Sequence, residues 1–306
     1  RSSDGNIFIF DKKGKGLRKI NRQGPGDEEY TFLLKAFLDE DNNELFVNDH
    51  RASKMSVYDF FGQFKRSFKH KEGSIFDPVY NFDKNNLICL DYISDFEEEP
   101  KNRFFIVSKQ DGRITKEIQI PYKVKKSTVL TVTDEAKGVT ISNATRNEEL
   151  IPYFGDWLLV DPSSDTIYKS APDFSLTPFI VRTPSIQSMI PEIFLFPGVF
   201  TDRYYFLQTV KKEYDFTTNS GFPRTDLVYD QQEKAIYEYT VLNADFSTKK
   251  LVNMVYEITL INDDGIAFVQ RLEAPELIEA NENGELKGKL KEIASTLDEE
   301  SNPVLM

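Results

Sequence analysis

One short pattern occurs twice in this chain, and it constrains the fold more than any other feature. The first copy reads IFIFDKKG over residues 7–14 and the second reads MSVYDFFG over residues 55–62, so Asp59 follows Asp11 by 48 positions. Each copy has a strand, a turn containing Asp and Gly, and a second strand, which is typical of a β-hairpin. Recurrence near 50 residues is typical of propellers built from four-stranded blades.

The second copy belongs to a complete predicted blade, and weaker copies follow it. The strands of that blade are expected over 34–39, 44–48, 54–59 and 63–69. A diverged blade is expected from strands at 77–82, 87–90, 103–107 and 114–120. Looser units begin near Trp157, Tyr204 and Tyr256. We therefore predict an all-β fold, a six-bladed β-propeller of four-stranded antiparallel blades forming one domain over residues 1–306.

The two ends of the chain depart from the repeat. Aligning the first two copies places Arg1 opposite Asp49, so the first blade is expected to lack its two inner strands. Upstream sequence or the C-terminus would have to supply them, because propellers close their sheet edges. Apolar residues at helical spacing predict a short C-terminal helix over about 285–297. Residues 303–306 are predicted to form a closing strand that pairs with the first blade.

Composition narrows the classes of function. The formal net charge is −12, which argues against nucleic acid as a partner, because phosphate binding needs clustered Lys and Arg. The same charge argues against electrostatic attachment to an anionic membrane. The single cysteine, Cys89, excludes an internal disulfide and lies in an apolar strand, where a buried thiol is expected. We expect no zinc site, since the only two histidines are far apart in sequence, and no cofactor, with calcium as the one alternative.

Propeller topology indicates where a site would lie. Strands alternate in direction, so the loop between strands two and three shares a face with the connection between blades. Loops at that end of a rigid scaffold commonly carry function. The candidate ligand-binding residues at the mouth of the channel are Asp49, His50, Arg51, Asp91 and Asp161. No constellation of catalytic residues is evident, so none is assigned.

Three further features have competing interpretations. His70 stands between two lysines and is expected at the surface. The acidic run at 95–99 could hold calcium through oxygen ligands, although a solvated charge run explains it as well. The polar insertion at 213–225, which contains three aromatic residues, predicts either a binding loop or a disordered excursion.

Several passages resemble a particular family. The first blade carries GKGLRKI at 14–20 and RQGPG at 22–26, and the C-terminal part carries LKEI at 290–293 and NPVL at 302–305. These resemble the six-bladed β-propeller lipoproteins, related to NHL-repeat propellers, of Bacteroides-type bacteria. The resemblance implies an exported protein, periplasmic or anchored to the outer membrane by an N-terminal lipid. It implies no catalytic residues.

Two functions remain open at this stage. The first is an exported, non-catalytic binding or scaffold propeller, monomeric, with a small molecule, glycan or peptide as its partner. The alternative is a metal-dependent hydrolase or lyase with a cation at the central channel, held by carboxylates and by the amide of Asn48. The first is favoured because aspartates at these positions are equally natural turn formers.

Overall fold

The protein is an all-β fold of antiparallel sheets. The computed structural model describes residues 4–11, 15–92, 103–134, 138–145, 147–255, 258–262, 265–268 and 271–305. Within those ranges the chain forms 28 strands and two α-helices. It divides into two compact units, one of residues 1–125 with 172–176 and the other of residues 126–171 with 177–306. The prediction of an all-β fold built from four-stranded antiparallel sheets is confirmed.

The first unit contains a hairpin followed by two four-stranded sheets, in which each strand pairs with the next along the chain. The hairpin is β1 (Ile7–Phe10) and β2 (Gly16–Ile20). The first sheet is β3 (Lys35–Asp39), β4 (Glu44–Asp49), β5 (Lys54–Asp59) and β6 (Phe64–Lys69). The second sheet is β7 (Phe76–Asn81), β8 (Asn86–Asp91), β9 (Phe104–Ser108) and β10 (Ile114–Ile118).

The central strands of the sheets in the first unit bury both of their faces, and side chains alternate between those faces along each strand. On β4, Leu45 and Val47 pack with Ile20 of the hairpin. Phe46 points the other way and packs with Phe105 of the second sheet. The central strands are therefore apolar on both sides, and β4 is buried along its whole length. Burial of this kind is expected when twisted sheets stack side by side.

The aspartate makes the same hydrogen bonds in both copies of the repeated hairpin. The amide of Lys15 donates to the carboxylate of Asp11 at 2.9 Å, and the amide of Gln63 donates to Asp59 at 2.8 Å. In each copy the amide of the aspartate also donates to the carbonyl of that same partner. Asp recurs here because its short carboxylate can bond its own backbone and close the turn. Gly14 lies outside the described residues.

The glycine of the turn allows neighbouring sheets to approach. Gly62 has φ +84°, and a Cβ added to it would lie 2.8 Å from a methyl carbon of Ile20. Gly112 has φ +74°, and a Cβ there would lie even closer to the ring of Phe68. Ile20 and Phe68 are buried near the ends of the preceding fourth strands. Glycine is thus required both by the backbone conformation and by the contact.

An arginine repeats beside these turns. Arg18 donates to the carbonyl of Phe60 at 3.0 Å, and Arg66, which is 48 positions later, donates to the carbonyl of Lys109 at 3.0 Å. Each bond joins the fourth strand of one sheet to the following turn. Arg66 also forms a two-pronged pair with the buried carboxylate of Glu44 at 2.7 and 2.6 Å. Burial alone would raise the pKa of Glu44, but the hydrogen bonds and charges of Arg66 and Lys65 together outweigh it and hold that pKa below its ordinary value.

The second unit contains two four-stranded sheets and several two-stranded pairs. The first sheet is β13 (Leu150–Tyr153), β14 (Asp156–Leu159), β15 (Thr166–Ser170) and β16 (Leu176–Val181), whose first residue is counted with the first unit. The other sheet is β17 (Ile193–Phe200), β18 (Tyr204–Lys211), β21 (Arg224–Asp230) and β22 (Ala235–Glu238). The pairs are β11 (Val129–Asp134) with β12 (Val139–Ala144), β23 (Val241–Leu242) with β24 (Leu251–Val252), and β25 (Ile258–Asn262) with β26 (Gly265–Phe268).

The insertion at 213–225 is folded. Its strands β19 (Tyr214–Asp215) and β20 (Ser220–Gly221) pair with each other. Phe222 is buried in the core between the two large sheets of this unit. Of the two interpretations of this segment, the disordered excursion is therefore wrong, because its aromatic residues supply core contacts.

The C-terminal segment differs from its prediction. A helix was expected over about 285–297, and the structure has α1 (Ala274–Glu282) and the shorter α2 (Gly288–Ala294). Gly284 ends α1, with φ +71° and a bond from the amide of Glu285 to the carbonyl of Ala280. The last strand, β28 (Val304–Leu305), pairs with β27 (Arg271–Leu272) rather than with the first hairpin, so that expected pairing is wrong. The count of six blades and the single domain stay predictions.

Candidate functional site

Three loops meet at one end of the sheets of the first unit. They are the β4–β5 loop at 50–53, the β2–β3 connection at 21–34 and the β6–β7 connection at 70–75. The ammonium group of Lys54 donates to the carbonyl of Glu29 at 2.7 Å, which joins the first two. The amide of His70 donates to the carbonyl of Ser53 at 2.8 Å, which joins the first and third. Sequence reasoning placed the loop between strands two and three beside the connections between blades, and this arrangement agrees with it.

Asp49 and Asp91 are buried at the ends of equivalent strands, β4 and β8. The carboxylate of Asp49 accepts the amide and the hydroxyl of Thr31, at 2.5 and 2.9 Å. That of Asp91 accepts the hydroxyl of Ser74 at 2.7 Å and the amide of Ile75 at 3.2 Å. Each aspartate thus holds the connection that arrives from the preceding sheet. These two candidate residues act within the fold.

Asp161 lies in the second unit. It is buried, and its carboxylate accepts the amide of Ser163 at 2.8 Å, as a turn-forming aspartate does. Nearby, Asp165 accepts the hydroxyl of Ser185 and the amide of Ile186, both at 2.6 Å. This repeats the arrangement at Asp91 and was missed from the sequence, since a hydroxyl 20 residues away gives no local signal.

His50 and Arg51 lie at the surface of the loop end, with an aromatic side chain that sequence reasoning missed. The guanidinium carbon of Arg51 lies 4.6 Å from the centre of the Phe32 ring, within cation–π range. The His50 ring meets the same phenyl ring edge-on at 5.8 Å. Phe32 follows the connection held by Asp49, and that is what brings it to the loop. The three side chains form a half-exposed aromatic and cationic group.

His70 was expected at the surface, and that expectation is wrong. Only 6% of it is exposed, and its ring lies 5.0 Å from that of Phe76. Burial, with a smaller contribution from nearby His50, lowers its pKa to about 4 against the opposing effect of Asp49. The flanking lysines suggested an exposed position, but side chains alternate between the two faces of β6. Phe68 and His70 are two residues apart and therefore share the inward face.

A cleft of about 520 Å³ opens beside these residues. His70 and Ser74 are its buried lining residues, and Lys69, Lys71 and Glu72 are exposed around it. The remaining lining residues are Ala52, Ser53, Gly73 and Ile75. No sequence pattern indicated this cleft, because it forms where the β4–β5 loop meets the β6–β7 connection.

Among the described residues, no group of three or more His, Cys, Asp or Glu side chains is placed to hold a metal ion. The acidic run at 95–99, the sequence candidate for calcium, lies outside those residues. Cys89 is buried as expected, and burial raises the pKa of its thiol. In the part of the chain that the structure describes, no helix is long and apolar enough to cross a membrane.

Solved structures similar to this chain include a Bacteroides fragilis protein described as exported. The two share 17% identity with a TM-score of 0.60, over 99% of this chain and 84% of the other. This likeness shows a shared fold. A member of the DUF4221 family from Bacteroides vulgatus is 10% identical, with a TM-score of 0.45 over 79% of each chain. Virginiamycin B lyase from Staphylococcus aureus is 12% identical, with a TM-score of 0.33 over 78% of this chain and 81% of the lyase. The last two scores are too low to support an argument.

The sequence itself was also compared with known families and curated proteins. No curated protein matches it. A family described as a domain of unknown function, DUF4934, matches residues 1–306. This match covers the whole chain, from the repeated hairpin through both C-terminal helices. The chain therefore belongs to the DUF4934 family.

Proposed function

We propose that this protein is an exported, non-catalytic binding module of the propeller type, and that the loop end of its first unit receives the ligand. The proposal rests on one observation: the reactive side chains at this end of the sheets are buried and serve the fold. Asp49, Asp91 and His70 are buried, and the two carboxylates accept hydrogen bonds within the fold. The side chains left at the surface, those of Phe32 and Arg51, are suited to binding.

The partner proposed is a small molecule, glycan or peptide, and nucleic acid is not expected. A net charge of −12 repels polyphosphate. An aromatic ring beside a guanidinium offers an apolar face and charged donors, which sugars and peptides both use. We further propose six blades, which a crystal structure would test, and a monomeric state, which light scattering combined with size-exclusion chromatography would test.

Export is part of the proposal. It is supported by the similarity in fold to the Bacteroides fragilis exported protein. The finer location, periplasmic or attached to the outer membrane through an N-terminal lipid, follows from the family resemblance in the sequence. Fractionation of cells producing the protein from its complete gene, with metabolic labelling by a fatty acid, tests it. Recovery of unlabelled protein in the cytoplasm would contradict it.

The binding function is tested by screening the purified protein against glycan and peptide arrays, followed by variants. Phe32→Ala and Arg51→Ala are expected to weaken any binding found by at least fivefold. Arg113→Ala is the matched control, because Arg113 is exposed in a hairpin turn of the same unit, where its side chain pairs with Asp111. Equal affinities of all three variants would show that the ligand does not bind at the loop end.

Catalysis would overturn the non-catalytic assignment. Purified protein should be incubated with glycosides and lactones, with and without millimolar calcium. We expect no turnover. Cation-dependent turnover that is lost in an Asp49→Asn variant which still folds would replace the binding module by the alternative, a metal-dependent hydrolase or lyase.

A further inference from the structure

Phe32 and Arg51, the two surface side chains proposed to bind the ligand, come from different segments of the chain. Phe32 lies in the β2–β3 connection, and Arg51 lies in the β4–β5 loop. The guanidinium carbon of Arg51 is 4.6 Å from the centre of the Phe32 ring. Arg51 is exposed and makes no hydrogen bond or ion pair through its side chain with any residue that the structure describes. An exposed cation–π contact is weak, so it does not hold two loops in place by itself.

The carboxylate of Asp49 connects the two segments directly. Its Oδ2 atom accepts the amide and the hydroxyl of Thr31 at 2.5 and 2.9 Å, and its Oδ1 atom accepts the amide of Ala52 at 3.1 Å. Thr31 immediately precedes Phe32, and Ala52 immediately follows Arg51. One buried carboxylate therefore fixes the backbone beside each member of the pair.

The three donors around Asp49 require a carboxylate. They converge on both of its oxygen atoms, whereas the amide of an asparagine has one acceptor atom and presents donors at the other. Lys54 also joins the two segments, through bonds to the carbonyls of Asp27 and Glu29. The side chain of Lys54 is long and flexible, so it brings the segments together without fixing the ring against the guanidinium.

The second sheet of the first unit contains the same arrangement with a different outcome. The carboxylate of Asp91 accepts the amide of Ile75 at 3.2 Å, and Phe76 follows Ile75 in the chain. Phe76 is buried in the hydrophobic core, whereas Phe32 is half-exposed. In both sheets a buried aspartate thus holds the residue before a phenylalanine, and only at Asp49 does that phenylalanine reach the surface.

We propose that Asp49 is the positioning residue of the binding site. It holds Phe32 and Arg51 in contact before a ligand arrives, so the site is preorganised. A ligand that meets a preorganised pair does not have to order it, and it binds more tightly for that reason. Asp49 acts through the pair and does not touch the ligand, since its carboxylate is buried and engaged within the fold. The proposal deepens the binding function above and rests on it.

Nuclear magnetic resonance tests the positioning without a ligand. In protein labelled at arginine and phenylalanine, the side chain of Arg51 should show nuclear Overhauser contacts to the Phe32 ring, and the Arg51→Ala variant assigns them. These contacts should be lost in Asp49→Asn. Asp91→Asn removes the equivalent carboxylate from the second sheet, so it is the matched control and should retain them. Contacts that persist in Asp49→Asn overturn the proposal.

A milder change decides the matter if Asp49→Asn does not fold. Thr31→Val removes one of the three donors from an exposed residue and leaves the backbone amide bonded to Asp49. The contacts between Phe32 and Arg51 should weaken in this variant without disappearing. Unchanged contacts in Thr31→Val would then overturn the proposal.

Affinity separates positioning from a purely structural role. The probe is the glycan or peptide that the array screen selects, measured by calorimetry. Asp49→Asn should weaken its binding by about fivefold, as Phe32→Ala does, and Asp91→Asn should leave it unchanged. Because Asp49 acts through Phe32, the double variant should bind no more weakly than Phe32→Ala alone. Losses that add in the double variant would overturn the proposal.

The positioning role and the binding function fail separately. If the arrays select no probe and the contacts are still lost in Asp49→Asn, the binding function falls and Asp49 remains the residue that holds the pair. If a selected probe depends on Phe32 and Arg51 but binds Asp49→Asn as tightly as the parent protein, the binding function stands and the positioning role is overturned.

Discussion

The two ends of the sheets in the first unit are held in place differently. At the hairpin end, the contacts of an aspartate and of an arginine recur between the first hairpin and the first sheet, and the contact of a glycine recurs between the first and second sheets. Gly62 meets Ile20 as Gly112 meets Phe68, and Arg18 bonds the next turn as Arg66 does. At the loop end the buried aspartates recur. The side chains around them, such as His50, do not.

This difference separates scaffold from candidate site. Contacts that repeat between sheets serve the stacking that every sheet needs, so they carry no information about a ligand. The non-repeating side chains at the loop end pack little and leave a cleft. Substitutions should therefore affect stability at the hairpin end and binding at the loop end, and the following predictions test that division in order of decreasing effect.

The largest effect is expected from Gly112→Ala. The left-handed backbone costs a non-glycine residue about 1–2 kcal/mol, and crowding against Phe68 adds about 1–3 kcal/mol. We expect the free energy of unfolding to fall by about 4 kcal/mol, measured by urea denaturation. Gly73→Ala at the loop end is the control, since Gly73 has φ +75° but open space, and only about 1 kcal/mol should be lost. Equal losses at the two glycines would show that crowding is unimportant.

Removal of the arginine that joins two sheets comes next. Arg66→Ala leaves the buried carboxylate of Glu44 with Lys65 as its ion-pair partner, and should cost about 3 kcal/mol. The pKa of Glu44 is depressed in the folded protein, so its contribution is present above its ordinary pKa of 4.5 and is lost as the pH falls through the folded value. The loss caused by Arg66→Ala should accordingly shrink in acid. A loss that is constant from pH 7 to pH 3 would contradict the ion pair.

The buried histidine predicts a smaller, pH-dependent effect. The pKa of His70 is about 4 in the folded protein against an ordinary value of 6.5, so the unfolded chain takes up the proton first. The contribution of His70 to the free energy of unfolding is therefore fully present above about pH 6.5. It is lost as the pH falls toward 4, which lowers the free energy of unfolding by about 2 kcal/mol at pH 5. Denaturation of His70→Phe across this range should show a flatter profile than the parent protein. The same slope in both would mean that another group titrates.

The smallest effect on stability is expected at the exposed loop. Arg51→Ala removes a cation–π contact with Phe32 at 4.6 Å and should change the free energy of unfolding by less than about 0.5 kcal/mol. Thermal denaturation checks this. A decrease of more than about 2 kcal/mol in the free energy of unfolding would show that Arg51 stabilises the fold, and the two ends would then not differ in the way described.

Much of the first unit could be predicted from its sequence, because its strands obey a strict spacing. The strand expected at 54–59 is β5 (Lys54–Asp59), and that expected at 34–39 is β3 (Lys35–Asp39). The C-terminal segment could not be predicted as well. Helical spacing near residue 290 was recognised, whereas α1 was missed because its short apolar face is mostly alanine.

For Asp49 and Asp91, sequence reasoning predicted the end of the sheets at which they lie, but not what their carboxylates do. Asp49 and Asp91 do lie at the loop end, yet a sequence does not show that Thr31 and Ser74 will occupy their carboxylates. His70 was misassigned because neighbouring charge was weighed above strand alternation. The cleft depends on two loops about 20 residues apart that meet only after folding.

The contact between each turn glycine and the preceding strand bears on protein engineering. Gly62 accommodates Ile20, and Gly112 accommodates Phe68. The turn of each of these two sheets is therefore shaped to fit one side chain in the last strand of the preceding sheet. A sheet transplanted alone would bring a turn shaped for the wrong side chain. The exchangeable unit therefore does not coincide with one sheet. It starts at the last strand of one sheet, such as β6, and ends at the turn before the last strand of the next sheet, β10. Chimaeras cut at those two points should fold, and chimaeras cut between sheets should not.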